Sequence, residues 1–262
     1  LWHETAVLPS FPVLDKKTKT DVLIIGGGMA GLLTAYFLKE KGISCVLLES
    51  SKICSGTTGN TTAKITLQHG LIYSELIKKG TDTAKGYYEA NRQALEKYKE
   101  LSQKIKCDFE IKDNYIYSTD SRQKIEDELE ALRKIGAEGT FAQNLSLPFA
   151  TVGAVKTKNQ AQFHPLLFAS AIAKDLDIYE NSRVIEMKEN TAVTELGSVT
   201  AENVIVASHF PFINKHGLYS LKLYQHRSYV LALKNAPTID GMYVDEDEQG
   251  LSFRGYDDLL LL

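Results

Sequence analysis

The chain has 262 residues, 44% of them hydrophobic and 24% charged, with a formal net charge of −3. That length can bury a sizeable core as one large or two intimate domains. With near-balanced charge nothing suggests a polyanion-binding surface, so no nucleic-acid partner is expected; no apolar run reaches membrane-spanning length.

Residues 1–20 carry Pro9, Pro12 and the basic run Lys16-Lys17-Thr18-Lys19, and are expected to form an extended arm ending in a solvated turn. An apolar run at 22–25 then stops at Gly26-Gly27-Gly28-Met29-Ala30-Gly31. Helical spacing follows through Leu32, Leu33, Ala35, Tyr36, Phe37 and Leu38, and Gly42 ends it. A second apolar run, 45–48, finishes on Glu49. This strand–turn–helix–strand order is the context a dinucleotide fingerprint requires. Gly26 permits the turn, Gly28 lets the backbone approach a pyrophosphate, and Gly31 lets the helix pack on the strand. The phosphates would meet the positive end of that helix. Glu49 would take ribose hydroxyls and repel a 2′-phosphate, which argues against NADP.

Residues 50–70 are rich in Ser, Thr and Gly, too polar for a core and too long for a simple turn, so a functional loop is expected. A helix is predicted over 82–106, a strand over 109–118, a charged amphipathic helix over 121–135 and a strand over 152–163. Helix 164–174 starts at His164-Pro165, where proline suits the first turn. Segments 178–187 and 204–207 are strand-like, and 189–203 resembles a hairpin. Segments 224–233 and 242–253 are also strand-like. The apolar run 256–262 is expected to be a buried strand continuing into a loop of a longer protein. Cys45, Cys54 and Cys107 form no CxxC, and are expected to be reduced thiols of a cytoplasmic protein.

The expected fold class is α/β. A Rossmann-like nucleotide-binding domain (1–106 and 163–215), which the resemblance described next makes FAD-binding, is interleaved with an α+β antiparallel-sheet substrate domain (107–162 and 216–256). Residues 257–262 would start a return strand to the nucleotide domain.

The glycine turn with Glu49, the loop at 55–64, Gln162-Phe163-His164-Pro165, and Val204-Ile205-Val206-Ala207-Ser208 together resemble the FAD-dependent D-amino acid/glycine oxidase (DAO) family. The resemblance covers residues 20–262. The chain departs from the family's Val-Val-Ala-Thr-Gly run at Ser208-His209. Trp2-His3-Glu4-Thr5 and the stretch 61–70 resemble the bacterial members that carry a C-terminal Rieske domain. A Rieske 2Fe-2S site needs paired Cys/His motifs, and these would lie beyond Leu262.

The resemblance implies FAD as cofactor. It assigns Gly26, Gly28, Met29, Ala30 and Gly31 to the pyrophosphate and Glu49 to the ribose. Ser55, Gly56, Thr57 and Thr58 would approach pyrophosphate and flavin, and Thr62, Ala63 and Lys64 would run along the isoalloxazine. Val184 would meet adenine, and Ala207 and Ser208 the ADP side. Family chemistry removes a hydride from the carbon beside an amine, with electrons passing to oxygen or an iron–sulfur partner. The substrate would be a small amine or amino acid. An arginine suits its carboxylate through a bidentate fork, and Arg227 or Arg254 is the candidate. Tyr229, with Tyr115, Tyr117, Tyr224 and Tyr256, could orient substrate; His69 and His226 could accept protons. Lys64 would act as a cation near the flavin.

Two other readings stay open. One is a non-catalytic or truncated flavin- or nucleotide-binding domain. The other, an NAD(P)H-linked flavoprotein reductase, needs a Cys-x4-Cys pair and a second GxGxxG, and the sequence has neither.

Overall fold

A computed structural model of the chain describes residues 1–213, 217–247 and 249–262. The first elements are α1 (Trp2–Thr5), β1 (Lys17–Ile25), α2 (Met29–Glu40) and β2 (Cys45–Leu48), followed by a 3-10 turn at Thr57–Asn60. Then come β3 (Lys64–Ile65), α3 (Ile72–Leu76), α4 (Thr81–Ser102), β4 (Glu110–Ser118) and α5 (Arg122–Lys134). β5 (Thr140–Ala142), β6 (Gly153–Gln162), α6 (Pro165–Ala173), β7 (Ile178–Tyr179), β8 (Glu186–Lys188) and β9 (Thr191–Val193) follow. The chain continues through β10 (Ser198–Val206), α7 (Tyr219–Lys222), β11 (Ala232–Lys234), β12 (Met242–Asp245), β13 (Ser252–Tyr256) and β14 (Leu259–Leu261).

The elements divide into two compact units, 1–61 with 165–229 and 62–164 with 230–262. This corrects the expected boundaries. Residues 62–106 belong with the second unit because the apolar face of α4 is buried there: Ala84 packs in a cluster with Ile125, Leu132 and Val155, and Leu95 with Leu67 and Ala161. Residues 217–229 group with the first unit. The expected join at 215/216 lies outside the described residues.

The first unit holds a six-stranded sheet in the order β7-β2-β1-β10-β9-β8. β1 runs parallel to both β2 and β10, and β2 parallel to β7. Its central strand is buried on both faces, with Leu23 and Ile24 fully enclosed, as a parallel sheet covered on two sides demands. α2 lies against β1 and β2 with Gly31, Leu32 and Ala35 buried. The basic run is not a turn: Lys17 and Lys19 are rungs of β1 paired with Ser198 and Thr200, because β10 is long enough to partner them. The arm is not wholly extended either. Trp2 on α1 is buried and donates from Nε1 to the Thr61 carbonyl at 2.7 Å. Only the ends of 178–187 form strands. Asn181 is left-handed (φ 48°), and Glu180 and Ser182 turn their side chains onto the backbone of Phe11, Ile53 and Leu14.

The second unit is built on an eight-stranded sheet, β11-β14-β13-β12-β4-β6-β3, with β5 added on β6. β4 and β6 are antiparallel and β12 is parallel to β4. The predicted strand 242–253 is two strands, β12 and β13, because the charged, glycine-containing stretch between them turns the chain back. Residues 257–262 do not return to the FAD domain. Asp257 (φ 49°) makes a tight turn, and β14 pairs with β13 and β11 in the second unit's own sheet. Of the predicted strand 224–233 only its last residues pair: Leu231 exchanges hydrogen bonds with Leu262, and β11 lies beside β14.

Glu128 on α5 anchors α3 within this unit. Its buried carboxylate accepts from Gln68 Nε2 (3.1 Å) and the Tyr73 N–H (3.0 Å) on one oxygen, and from the Ser74 N–H (2.6 Å) on the other. Burial pushes this carboxyl up, against the pull of those hydrogen bonds. Glu128→Ala leaves two backbone amides without an acceptor and lowers stability by about 2–3 kcal/mol, read as a drop in thermal midpoint.

Candidate active site

A cleft of about 860 Å³ opens in the first unit at the C-terminal ends of β1, β2 and β10, where Ile25, Leu48 and Ala207 line it. Open α/β sheets bind ligands at this end of their strands. Gly26, Gly28, Met29, Ala30, Glu49, Ser55, Gly56, Thr57, Thr58, Val184, Ala207 and Ser208 all line it, so the structure brings together twelve residues predicted from distant parts of the chain. Gly31 does not line it. A Cβ at Gly31 would collide with the Gly26 carbonyl oxygen, so its glycine serves the close approach of α2 to β1.

The turn explains the glycine pattern. Gly26 has φ 119°, and a Cβ there would come 2.7 Å from the Ala207 carbonyl carbon. Gly28 differs: its backbone is extended (φ −80°, ψ −178°), and an added Cβ would meet only Thr58 Oγ1, at 3.5 Å. The N-cap residue Gly28 has no side chain to cap α2 and no acid stands in its first turn, so the positive end of the helix suits an anion. Thr58 Oγ1 accepts the Met29 N–H at 3.0 Å and ties the hydroxyl-rich loop to that helix end. Glu49 Oε2 accepts the Gly27 N–H at 2.7 Å, and Oε1 accepts from Ser50 Oγ and the Ser51 N–H, both at 2.9 Å. An open glycine cradle at an uncapped helix end suits a pyrophosphate, and the carboxylate at the end of β2 suits ribose hydroxyls. The residues fit FAD.

Val184 lies in the loop between β7 and β8 rather than on a strand, because the Glu180 and Ser182 interactions interrupt the ladder. Glu180 also steadies the cofactor loop: its buried carboxylate accepts the Ile53 N–H (2.9 Å) and the Lys52 ammonium (2.6 Å). Arg183, His209 and Phe210 line the cleft and were not anticipated. His209 carried a signal, since it stands where the chain departs from the family's strand-end run; its Nδ1 is 3.5 Å from Thr57 Oγ1. Arg183 stands in no recognisable pattern.

Thr62, Ala63 and Lys64 lie in the second unit, beside Arg254. The Arg254 side chain is fully buried. Its Nη1 donates to the carbonyls of Thr62 (2.6 Å), Ala63 (2.9 Å) and Phe163 (3.3 Å). The Nε and Nη1 edge of the guanidinium is thus turned onto main chain. Lys64 is half-buried, and its amine contacts Ser252 Oγ and lies 3.5 Å from Thr62 Oγ1. Burial first, and then the neighbouring Arg254 charge, bring the Lys64 amine down to about 7. Burial likewise lowers Arg254 to about 10. Gln162 Nε2 donates to Glu110 Oε2 and to the Gly255 carbonyl, both at 3.0 Å, and closes the cluster.

Of the other predicted groups Tyr256 adjoins it, with the Arg254 guanidinium carbon 5.7 Å from its ring centroid, and the rest lie elsewhere. His69 bonds Tyr87 through Nδ1 (2.7 Å) and borders a separate cavity with α3 and α5, because the turn after Gln68 carries its ring toward α4. Arg227 and Tyr229 are exposed in the irregular stretch before β11, where no described strand pairs with them; Tyr224 and His226 share that stretch. Tyr115 stacks on Tyr243 at 4.7 Å, Tyr117 donates to the Leu251 carbonyl (2.9 Å), and Tyr256 donates to Asp108 Oδ2 (2.8 Å).

A family model described as FAD dependent oxidoreductase (DAO) matches residues 21–262. The Bacillus subtilis (strain 168) protein YhfW, whose name carries a Rieske 2Fe-2S iron-sulfur designation, is 38% identical over 270 residues, covering 97% of this chain and 53% of that protein. The chain spans about half the length of the curated relatives it matches. Among solved structures, L-proline dehydrogenase from P. horikoshii aligns with a TM-score of 0.72 at 15% identity, covering 94% of this chain and 69% of that one. Glycine oxidase from Geobacillus kaustophilus aligns with a TM-score of 0.64 at 18% identity, covering 93% and 70%. At these identities the likeness shows the fold.

Proposed function

The chain belongs to the family of FAD dependent oxidoreductases, and from that premise we propose that it oxidises the C–N bond of an amine or amino acid. FAD, when bound, supplies a two-electron acceptor for the hydride leaving the carbon beside nitrogen. The residues of the chain do the rest. The glycine turn, Glu49 and the loop 55–58 hold the dinucleotide. Lys64 takes the proton from the substrate ammonium onto Nζ, leaving a neutral amine whose lone pair assists departure of the hydride. The resulting iminium ion is released to hydrolysis, which yields the carbonyl compound and ammonium.

The observation that carries this reading is the placement of Lys64, directly after the cofactor loop in sequence with its amine against Ser252 Oγ, where burial brings it down to about 7. A base works best when its pKa lies near the operating pH. The names of relatives support the substrate class: proline, glycine and, for a relative from Escherichia coli (strain K12), gamma-glutamylputrescine carry C–N bonds of this kind. The Rieske designation of the Bacillus relative supports an iron–sulfur centre as electron acceptor in place of oxygen. Three free cysteines suit a reducing compartment such as the cytoplasm, and no helix of the described residues is long and apolar enough to cross a membrane.

The test is a visible absorption spectrum of the full-length protein before and after anaerobic addition of an amine and amino-acid panel. A two-banded flavin spectrum that bleaches with one compound is expected. Absorbance beyond the flavin bands identifies the iron–sulfur acceptor. A yellow protein that no amine bleaches overturns the proposal and leaves a flavin-binding domain without this turnover.

A further inference from the structure

We infer that Arg254 is a positioning residue for Lys64: its buried guanidinium clamps the backbone turn at Ala63 and stands as a fixed second cation beside the lysine amine. The inference rests on the proposed role of Lys64.

Ala63 has φ 52°, a left-handed conformation that a residue with a Cβ adopts only when its surroundings over-determine it. Arg254 is a main part of that surrounding. One guanidinium nitrogen serves the carbonyls of Thr62 and Ala63 at the turn and of Phe163 just after β6. The Phe163 N–H returns to the Ala63 carbonyl at 3.3 Å. The next residue, Lys64, opens β3 and pairs with Gln162, whose side chain is bonded to the Gly255 carbonyl next to Arg254. The turn before Lys64 and the strand beside it are therefore held from one buried point. A planar guanidinium can bridge several carbonyls in a fixed plane, whereas a lysine ammonium carries the charge without the fork. A like charge in an enclosed site disfavours protonation of its neighbour, so the same side chain both aims the amine and keeps its lone pair.

The test uses the full chain with Arg254→Met, Arg254→Lys, and Ala63→Gly added to Arg254→Lys. Two readouts are followed against pH: the rate of anaerobic flavin reduction, and trace acetylation of Lys64 measured by peptide mass, which needs no turnover. Arg254→Met should raise the midpoint of both curves by about one unit, so reduction at pH 7 falls about fivefold, approaching tenfold at lower pH. Arg254→Lys should keep the midpoint and lower the rate, because the charge remains and the clamp is lost. Ala63→Gly should restore most of that rate, since glycine takes the left-handed turn unaided. Unchanged midpoint and rate in both Arg254 variants overturn the inference. So does an Arg254→Lys enzyme with raised KM for carboxylate substrates alone, which would make Arg254 a substrate anchor. If Lys64→Met keeps the pH–rate curve, the role of Lys64 fails while the acetylation midpoints still judge the clamp. Should neither Arg254 variant fold, a wild-type acetylation midpoint near that of free lysine overturns it.

Discussion

Gly28→Val yields a folded protein that no longer retains FAD. Most glycines in such a turn cannot separate binding from folding, because replacing them damages both. Gly28 can. Its backbone lies in the extended region open to any residue, and a Cβ there meets only Thr58 Oγ1 at 3.5 Å. The added methyls therefore enter the space at the uncapped end of α2 that suits the pyrophosphate. Overpacking of this kind costs about 1–3 kcal/mol, and loss of the backbone approach adds to it, so FAD affinity falls by about 100-fold or more. Flavin fluorescence titration of the apoprotein measures the affinity, and the apoprotein's thermal midpoint serves as control. Wild-type affinity in a normally folded variant would refute the assignment of the cradle. Gly31→Ala makes the useful contrast, since its Cβ collides with the Gly26 carbonyl and should lower the midpoint as well.

Lys64→Met lowers the rate of anaerobic flavin reduction by about 10²–10⁴-fold, the range for removal of a general base, with FAD affinity unchanged. In the wild type the rate rises with pH through about 7, as the amine loses its proton. In the variant that limb disappears. Stability moves the other way. The folded-state pKa lies below the ordinary 10.5, so between about 7 and 10.5 the unfolded chain holds a proton that the folded chain does not. Folding is thus penalised at neutral pH, and the penalty fades as pH rises toward 10.5. Lys64→Met removes that penalty and melts at or above the wild-type temperature at pH 7, with the gap closing at high pH. Stopped-flow reduction and thermal melts across pH check both halves. A variant that reduces its flavin at the wild-type rate excludes Lys64 as the base.

The helices over 82–106, 121–135 and 164–174 were legible because their apolar spacing is local; α5 also has a Ser121 cap, which accepts the Lys124 N–H. Strand-like composition misled where pairing decides. The run 224–233 is as apolar as β1, yet only its end finds a partner backbone. Residues 257–262 have the composition of a return strand, but a turn at Asp257 folds them onto β13. Among the site residues, Arg227 and Arg254 were indistinguishable, each an arginine in a strand-like segment. One is exposed and the other fully buried.

Residues 21–49 determine by themselves the strand–turn–helix–strand unit and the end of it that meets a dinucleotide. The requirements are short-range: a positive φ at Gly26, close approach at Gly31, open space at Gly28 and an acid at the end of β2. Each selects a residue type that sequence displays. What only the tertiary structure decided is the environment of Lys64. Its contact with Ser252 spans 188 positions, and the Arg254 clamp on Thr62 spans 192. Charge neutralisation by burial depends on which strands enclose a side chain, and no local pattern in the chain records that enclosure.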